Sequence, residues 1–314
     1  MGTTYTVKYL PPDNQVETLI PEEIQIQQQL NILLADINRQ MSTYDPESEI
    51  SRFNRLNSGE SLDISADFAH VLNEAVALHA RTEGALDITI GPLVNVWGFG
   101  PDKSITHAPD AAALAAARQK VGLDKIRIEP QENGAKLSKL AEGVALDLSA
   151  IAKGFGVDKL AQHLDSLDVQ HYLVEIGGEL RGKGYNAQGA PWRVGIETPQ
   201  AAQQGSSQIV ITLQQQALAT SGDYRNFRTD EAGQRVSHII DPASGMPIRH
   251  RLASVSVVAD TATTADGLAT ALFVLGEDKA LALAEQHGWA VFVIVHNGDG
   301  FRTEMSSAFK QLIP

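Results

Sequence analysis

The sequence predicts an α+β fold in which helices pack on an extended, mostly antiparallel sheet. Short β-prone runs separated by turn residues fill the second half of the chain, and amphipathic helical patterns lie before and after them. No repeat, low-complexity tract or long linker marks an internal boundary. We therefore expect a single domain over residues 1–314.

Composition limits the classes of function. With 314 residues, 43% hydrophobic and 20% charged, the chain is typical of a soluble globular protein, and no apolar run reaches the length of about eighteen residues that spans a bilayer. The absence of cysteine excludes disulfides, thiolate catalysis and sulfur-ligated metals. The net charge of −13 argues against nucleic acid and anionic membrane as partners. An acidic protein that binds a diphosphate needs a local basic cluster or a metal ion.

The chain opens on the strand-like run MGTTYTVKYL, with no secretory signal, so we expect a soluble chain without a leader. Helical periodicity then covers Pro21 to Arg39, and Asp45-Pro46 breaks it. Tyr44, beside that break, has two interpretations: its ring stacks on a planar ligand, or it packs against the protein.

A second helical pattern covers Ser65 to Thr82, and Gly84 ends it. The segment Gly84 to Pro101 is rich in glycine and proline, so its backbone either approaches a ligand closely or forms an irregular connection. This segment contains neither of the common glycine-rich nucleotide-binding motifs. A further helix is expected over Ala111 to Val121 and a short strand over Lys125 to Glu129.

The run Val144 to Leu148 predicts a buried strand with Asp147 near its end, and Ser149 is a candidate cap for a helix over Ala150 to Leu164. Such a strand-to-helix junction binds phosphate or sugar through its backbone groups in some proteins. The alternative is an ordinary capped helix.

Most of the sheet is expected from the second half of the chain. The predicted strands are Tyr172–Ile176, Leu180–Lys183, Trp192–Glu197, Gln208–Leu213, Ala217–Ser221, Val236–Ile240, Leu252–Ala259, Ala290–His296 and Gly300–Met305. Helices are expected over Thr261 to Leu275 and Glu277 to His287.

His238 stands where a predicted strand ends in a turn set by Asp241-Pro242 and Gly245. An imidazole with an ordinary pKa is partly neutral at working pH, so His238 is a candidate general base. The alternative is a histidine that simply bonds to the backbone beside the turn.

Asp266 and Thr270 are four residues apart in the predicted helix, a spacing that places them on the same face. A carboxylate and a hydroxyl are hard oxygen ligands that suit Mg²⁺. The alternative is a threonine that bonds to a backbone carbonyl and an aspartate that is solvated or caps a helix.

Several blocks together resemble one family, the ApbE-type flavin transferases. In order along the chain they are MGTTYTV, MSTYDPESEISRFN, GALDITIGPLVNVWGFGP, VALDLSAIAKGFGVDKLA, YLVEIGGELRGKG, PWRVGIETP, ALATSGDYRNF, SHIIDPASGMPI and ADTATTADGLATALFVLG. The resemblance implies an Mg²⁺-dependent enzyme that splits FAD, its substrate, at the pyrophosphate. FMN would pass to a threonine or serine hydroxyl of a partner flavoprotein, with release of AMP.

The same resemblance implies roles for individual residues. The FAD-contacting residues would be Met1, Tyr44, Ala85, Leu86, Asp87, Asp147, Lys153 and the backbone around Ile240. The main-chain oxygen of Ala150 would bind the metal with Asp266 and Thr270, and His238 would accept the proton of the acceptor hydroxyl.

Two positions depart from the pattern of the family. Many members carry an acidic residue where Ala269 stands, and others have an acidic side chain in place of Lys153. One carboxylate fewer bears on the number and tightness of bound Mg²⁺ ions, and Lys153 is suited to direct contact with phosphate.

The resemblance further implies partners and location. We expect FAD and an acceptor flavoprotein with a Thr/Ser flavinylation motif, no nucleic acid, and membrane contact only through the acceptor or a removed lipid anchor. A bacterial periplasmic or cell-envelope location is expected. Two other interpretations stay open: an FAD pyrophosphatase that forms FMN and AMP with water, and a non-catalytic FAD-binding protein.

Overall fold

The computed structural model describes residues 2–11, 23–102, 104–105, 107–197, 207–222, 227–229, 235–298 and 300–313. The chain forms two compact units. The first unit comprises Met1–Ala35, Lys153–Gly222 and Arg251–Pro314, and the second comprises Asp36–Ala152 and Asp223–His250. That residues 1–314 act as a single domain stays a prediction.

The helices of the described residues include those predicted and several short ones. Their bounds are α1 Glu23–Met41, α2 Glu49–Asn54, α3 Ala66–Arg81, α4 Gly91–Val96, α5 Ala111–Arg118, α6 Ala152–Ser166, α7 Ala262–Leu275, α8 Glu277–His287 and α9 Ser307–Lys310. None of these helices combines the length and the apolar character that crossing a membrane requires.

The strands confirm the expected short runs in the second half of the chain. Their bounds are β1 Tyr5–Leu10, β2 Ser61–Ile64, β3 Ile126–Gln131, β4 Gly134–Lys139, β5 His171–Ile176, β6 Glu179–Lys183, β7 Trp192–Glu197, β8 Ser207–Leu213, β9 Gln216–Gly222, β10 Phe227–Thr229, β11 Arg235–Ser237, β12 Leu252–Ala259, β13 Ala290–Asn297 and β14 Gly300–Met305.

The first unit is built on an antiparallel sheet, which in the described part of the chain has the strand order β1-β5-β6-β9-β12-β13-β14. Every neighbouring pair is antiparallel, so the predicted sheet is confirmed. Strand β12 pairs with β9 on one side and β13 on the other, and all but the last of its residues are buried. It is therefore a central strand, and its valines, alanines and serines are small enough to be buried on both faces.

Helix α7 packs against β9 and β12 in the first unit. It begins where the sequence predicts, because the hydroxyl of Thr261 accepts a hydrogen bond from the amide of Thr264 at 3.2 Å and so satisfies a free donor of the first turn. Its alanines and Gly267 are small and buried, which allows close approach to its neighbours. This packing fixes the direction in which Asp266 and Thr270 point.

The second unit contains a small antiparallel sheet in the order β2-β4-β3, with α3 packed against β4. Ser65 caps α3, since its hydroxyl accepts a hydrogen bond from the amide of Phe68. A separate apolar cluster forms around Leu93, Trp97, Ala117 and Ile240. The pair β10-β11 also belongs to this unit.

Two local predictions are wrong, and both concern the segment before α6. Val144 to Leu148 is not a strand, since Ala145 forms only an isolated parallel bridge with Ile90. Ser149 does not cap the helix. Its amide instead donates to the carboxylate of Asp147 at 2.8 Å, and the helix begins only at Ala152, after a turn closed by hydrogen bonds to the carbonyl of Leu148.

Two further boundaries differ from the prediction. The glycine- and proline-rich segment Gly84 to Pro101 contains the short helix α4, in which Pro92 occupies a first-turn position that needs no amide donor. Strand β11 ends at Ser237, earlier than Ile240, because the chain enters the Asp241 turn.

Candidate functional site

Asp266 is the central residue of a buried charged cluster in the first unit. Its carboxylate lies 3.1 Å (Oδ1) and 3.3 Å (Oδ2) from the ammonium nitrogen of Lys153, and Oδ2 accepts a hydrogen bond from the amide of Gly154 at 2.9 Å. Gly154 is in the first turn of α6, whose amides have no acceptor within the helix. Helices α6 and α7 approach this closely because residue 154 is a glycine, since a Cβ there would lie 2.1 Å from the carbonyl oxygen of Ala262.

Glu179 brings a second carboxylate to the same cluster. Its Oε1 lies 3.3 Å from the Lys153 ammonium, so one cation contacts two carboxylates. The side chains of Asp266 and Glu179 are 2% and 3% exposed, whereas that of Lys153 is 30% exposed. The cluster is thus buried at its acidic groups and reaches solvent through the lysine.

Burial dominates the electrostatics of these groups. It raises the pKa of Glu179 to about 8, with a further rise from the charge of Asp266 and a partial offset from Lys153. Burial likewise raises the pKa of Asp266, although Lys153 and the Gly154 amide oppose it. Burial alone would lower the pKa of Lys153, but the two carboxylates together raise it above its usual range.

Thr270 lies one turn after Asp266 on α7, as the spacing predicts. Its hydroxyl is 3.0 Å from that of Ser221, the penultimate residue of β9. Ala269, the residue before Thr270, is fully buried.

In donor chemistry the cluster fits a hard divalent cation. It offers the carboxylate oxygens of Asp266 and the hydroxyl of Thr270, which are the ligand types Mg²⁺ takes. Among the described residues, no group of three or more His, Asp or Glu side chains converges as a metal site. A small number of protein ligands is usual for Mg²⁺, because the ion keeps several waters or binds substrate phosphates. Ala150, the third expected ligand, belongs to the second unit and lies in the turn before α6.

In the second unit the structure joins the Asp87 and Asp147 segments. The amide of Asp147 donates to the carbonyl of Ile88 at 2.8 Å. Asp87 is oriented locally, because Oδ1 accepts from the amide and the hydroxyl of Thr89 at 2.8 and 2.6 Å. Ala85 and Leu86 are buried beside it. An open cleft of about 550 Å³ is lined by Glu83, Gly84, Asp87, Ala115, Arg118, Gln119, Val121, Pro242 and Ala243.

Tyr44 and His238 both contact Phe99 in the second unit. The hydroxyl of Tyr44 donates to the carbonyl of Phe99 at 3.3 Å, and its side chain is 60% exposed. The ring of His238 meets that of Phe99 edge-on, with 6.5 Å between centroids. The structure therefore brings the predicted stacking residue and the predicted base to one residue, Tyr44 to its backbone and His238 to its ring.

The turn after His238 is fixed by hydrogen bonds. The amide of Gly245, whose φ of 74° suits glycine, donates to the carbonyl of Asp241 at 2.8 Å, and the indole of Trp97 donates to the Gly245 carbonyl at 2.8 Å. Ile240 is buried in the apolar cluster with Trp97, so its backbone is the part able to bind a ligand. Met1, the remaining expected FAD contact, lies outside the described residues.

Sequence reasoning missed Glu179. The preceding Gly177-Gly178 pair is the only sequence signal near it, since two consecutive glycines between predicted strands are typical of a bulge or of close backbone packing. Both adopt positive φ, 62° and 110°. The glycine pair locates a turn in the chain, but a turn does not show that the side chain after it enters a buried cluster.

Comparison with known proteins gives a consistent result. The model of the ApbE family matches residues 1–293. A Haemophilus influenzae protein named FAD:protein FMN transferase is 49% identical over 313 residues, 99% of this chain and 89% of the relative. A Vibrio cholerae protein of the same name is 45% identical over 100% of this chain and 90% of its own length.

The solved structures agree with the sequence relatives. The structure of the flavin transferase ApbE from Vibrio cholerae is similar with a TM-score of 0.89 and 44% identity, over 100% of this chain and 96% of that one. The family model and the relative with 49% identity both extend over nearly the whole chain. The chain belongs to the ApbE family.

Proposed function

We propose that the protein is an FAD:protein FMN transferase, which moves FMN from FAD to a threonine or serine hydroxyl of a target flavoprotein and releases AMP. The observation that carries this proposal is the 49% identity, over 99% of this chain, to a relative that bears this enzyme's name. The buried Asp266 cluster and the pairing of Tyr44 and His238 through Phe99 support it.

The protein's acidity makes FAD binding dependent on local groups. With a net charge of −13, the chain repels a diphosphate unless a cation lies close by. Lys153 is the candidate at the partly exposed end of its cluster, and Mg²⁺ would add the positive charge that Asp266 and Glu179 offset there. Tyr44 offers an exposed ring able to stack on a planar ligand. Met1, Ala85, Leu86, Asp87, Asp147 and the backbone of Ile240 complete the proposed set of FAD contacts.

Mg²⁺ is the proposed metal, held by Asp266, Thr270 and the main-chain oxygen of Ala150. When bound, it supplies Lewis-acid neutralisation of phosphate charge, worth several kcal/mol in the transition state. The protein's own contribution is a rigid α7, which its Thr261 cap and its packing on β9 and β12 hold in place.

His238 is proposed as the general base. The acceptor hydroxyl oxygen forms a bond to the FMN-side phosphorus, and the bond from that phosphorus to the bridging oxygen breaks. AMP leaves with the electron pair, while a ring nitrogen of His238 takes the hydroxyl proton. The Asp241 turn and the contact with Phe99 hold the imidazole at the end of β11.

We also propose that residues 1–314 work as one flavin transferase domain in the bacterial periplasm or cell envelope. Contact with membrane would arise only through the acceptor or a lipid anchor. These features come from the family resemblance.

The test is incubation of the protein with FAD, Mg²⁺ and a flavin-acceptor domain, followed by mass spectrometry of the acceptor. We expect the acceptor to gain the mass of one FMN bound through a phosphoester. His238→Ala should reduce the rate by about 10² to 10⁴ while leaving FAD affinity nearly unchanged. His70→Ala, on the exposed face of α3, is the matched control and should be fully active.

Two results would contradict this proposal. Formation of FMN and AMP without an acceptor, and no adduct when one is present, would make the protein an FAD pyrophosphatase. Tight FAD binding with neither product, across several metals and acceptors, would make it a flavin-binding protein.

A further inference from the structure

Glu179 is a buried acid with no role in the mechanism above. It is the first residue of β6 and follows Gly177-Gly178, whose positive φ angles turn the chain at that point. The amide of Gly178 is held by the carboxylate of Glu175 at 2.7 Å, so the turn has its own acidic partner. Glu179 is not needed to close it.

One oxygen of Glu179 contacts the Lys153 ammonium, and the other is without a partner among the described residues. Oε1 lies 3.3 Å from the Lys153 ammonium. Oε2 is buried and makes no hydrogen bond within the part of the chain that the structure describes. A buried carboxylate oxygen without a partner costs free energy, and buried acids are normally paired or coordinate a metal.

The cluster also contains more acidic side chains than basic ones. Two buried acids, Asp266 and Glu179, share a single ammonium, so one lysine cannot balance both carboxylates when both are ionised. Glu179 thus brings a carboxylate from another element to the neighbourhood of Asp266.

Given the function proposed above, we infer that Glu179 is an additional oxygen ligand of the divalent cation that Asp266 and Thr270 hold. The Lys153 ammonium contacts both acids, and its partly exposed side chain marks a route from solvent to the cluster. The carboxylate of Glu179 comes from β6, whereas Asp266 and Thr270 both lie on α7.

The experiment measures binding of Mn²⁺, a spectroscopic substitute for Mg²⁺, to the full chain without FAD or acceptor. Electron paramagnetic resonance of the free ion gives the affinity directly. We expect Glu179→Gln, which keeps the shape and removes the charge, to bind Mn²⁺ at least tenfold more weakly than the wild type. Glu175→Gln is the matched control: it removes the same charge four residues away and should stay within twofold.

A shortened acid separates ligation from general electrostatics. Glu179→Asp keeps the negative charge but shortens the side chain, so its oxygens lie farther from the metal. If Glu179 is a ligand, this variant should bind Mn²⁺ more weakly. If Glu179 acts only through its charge, the variant should bind as the wild type does. This variant also keeps the test decisive if Glu179→Gln fails to fold. Wild-type Mn²⁺ affinity in Glu179→Asp, or equal losses in Glu179→Gln and Glu175→Gln, would overturn the inference.

Asp266→Asn distinguishes this inference from the proposed function. If Asp266→Asn loses Mn²⁺ binding and both Glu179 variants keep it, the metal site stands and only the role of Glu179 is wrong. If Asp266→Asn also binds as the wild type does, the metal site itself is wrong.

Discussion

Two buried aspartates in the first unit occupy reciprocal positions and have different surroundings. Asp158 lies on α6 and accepts hydrogen bonds from the amides of Ala262 and Thr263 at the start of α7, at 3.0 and 2.8 Å. Asp266 lies on α7 and accepts one from the amide of Gly154 at the start of α6, at 2.9 Å. Each helix therefore supplies the acid that satisfies the amino end of the other.

The difference lies in their remaining partners. Asp158 also accepts from the hydroxyl of Thr263 at 2.6 Å and pairs with the guanidinium of Arg181, so both of its oxygens are well satisfied. Asp266 shares its ammonium with Glu179, and burial raises its pKa. A satisfied carboxylate stabilises the fold, whereas one with a shared partner and buried charge is suited to function.

The largest expected effect is on activity. Asp266→Ala removes the carboxylate that the proposed metal requires, and a loss of several kcal/mol of charge stabilisation predicts a decrease of at least about a thousandfold in FMN transfer. Lys153 keeps Glu179 as a partner, so the variant should stay folded by circular dichroism. Retained transfer activity would mean that the metal is bound elsewhere.

The second effect is on stability, at the other aspartate. Asp158→Ala leaves Arg181 without its acid and exposes two amides of α7, which predicts a decrease in the free energy of unfolding of about 3 kcal/mol. Urea denaturation measures it, and transfer activity per folded molecule should be unchanged.

A surface pair provides the control for this variant. Asp36→Ala breaks the exposed pair with Arg39 and should change stability by less than about 1 kcal/mol. If Asp158→Ala were no more destabilising than Asp36→Ala, the two aspartates would not differ in the way their contacts indicate.

The sequence identified Asp266 as a candidate site residue but did not identify Asp158. The apolar period of α7 identified the helix, and the four-residue spacing placed Asp266 and Thr270 on one face. Asp158 was not singled out, because its partners at Ala262 and Thr263 are distant in sequence. Glu179 was missed for the same reason.

Local pattern also failed where long-range pairing decides the structure. Val144 to Leu148 has the apolar character of a buried strand, yet only Ala145 finds a bridging partner, Ile90. An apolar run shows that a segment is buried and does not show whether a neighbouring strand is available. The same limit applies to Phe99, whose contacts with Tyr44 and His238 no spacing rule predicts.

The smallest expected effect concerns the neutral ligand beside Asp266. Thr270→Val keeps the shape of the side chain and removes the hydroxyl, which also leaves Ser221 without this partner. A neutral oxygen contributes less to a cation site than a carboxylate, so we expect Mn²⁺ affinity to fall by about tenfold, equivalent to about 1.4 kcal/mol. Thr270→Ser restores the hydroxyl and should recover most of the affinity. Valine lacks only the hydroxyl of threonine, and serine lacks only its methyl group. Wild-type binding by Thr270→Val would therefore exclude the hydroxyl as a ligand. Weak binding by both variants would assign the effect to packing on α7.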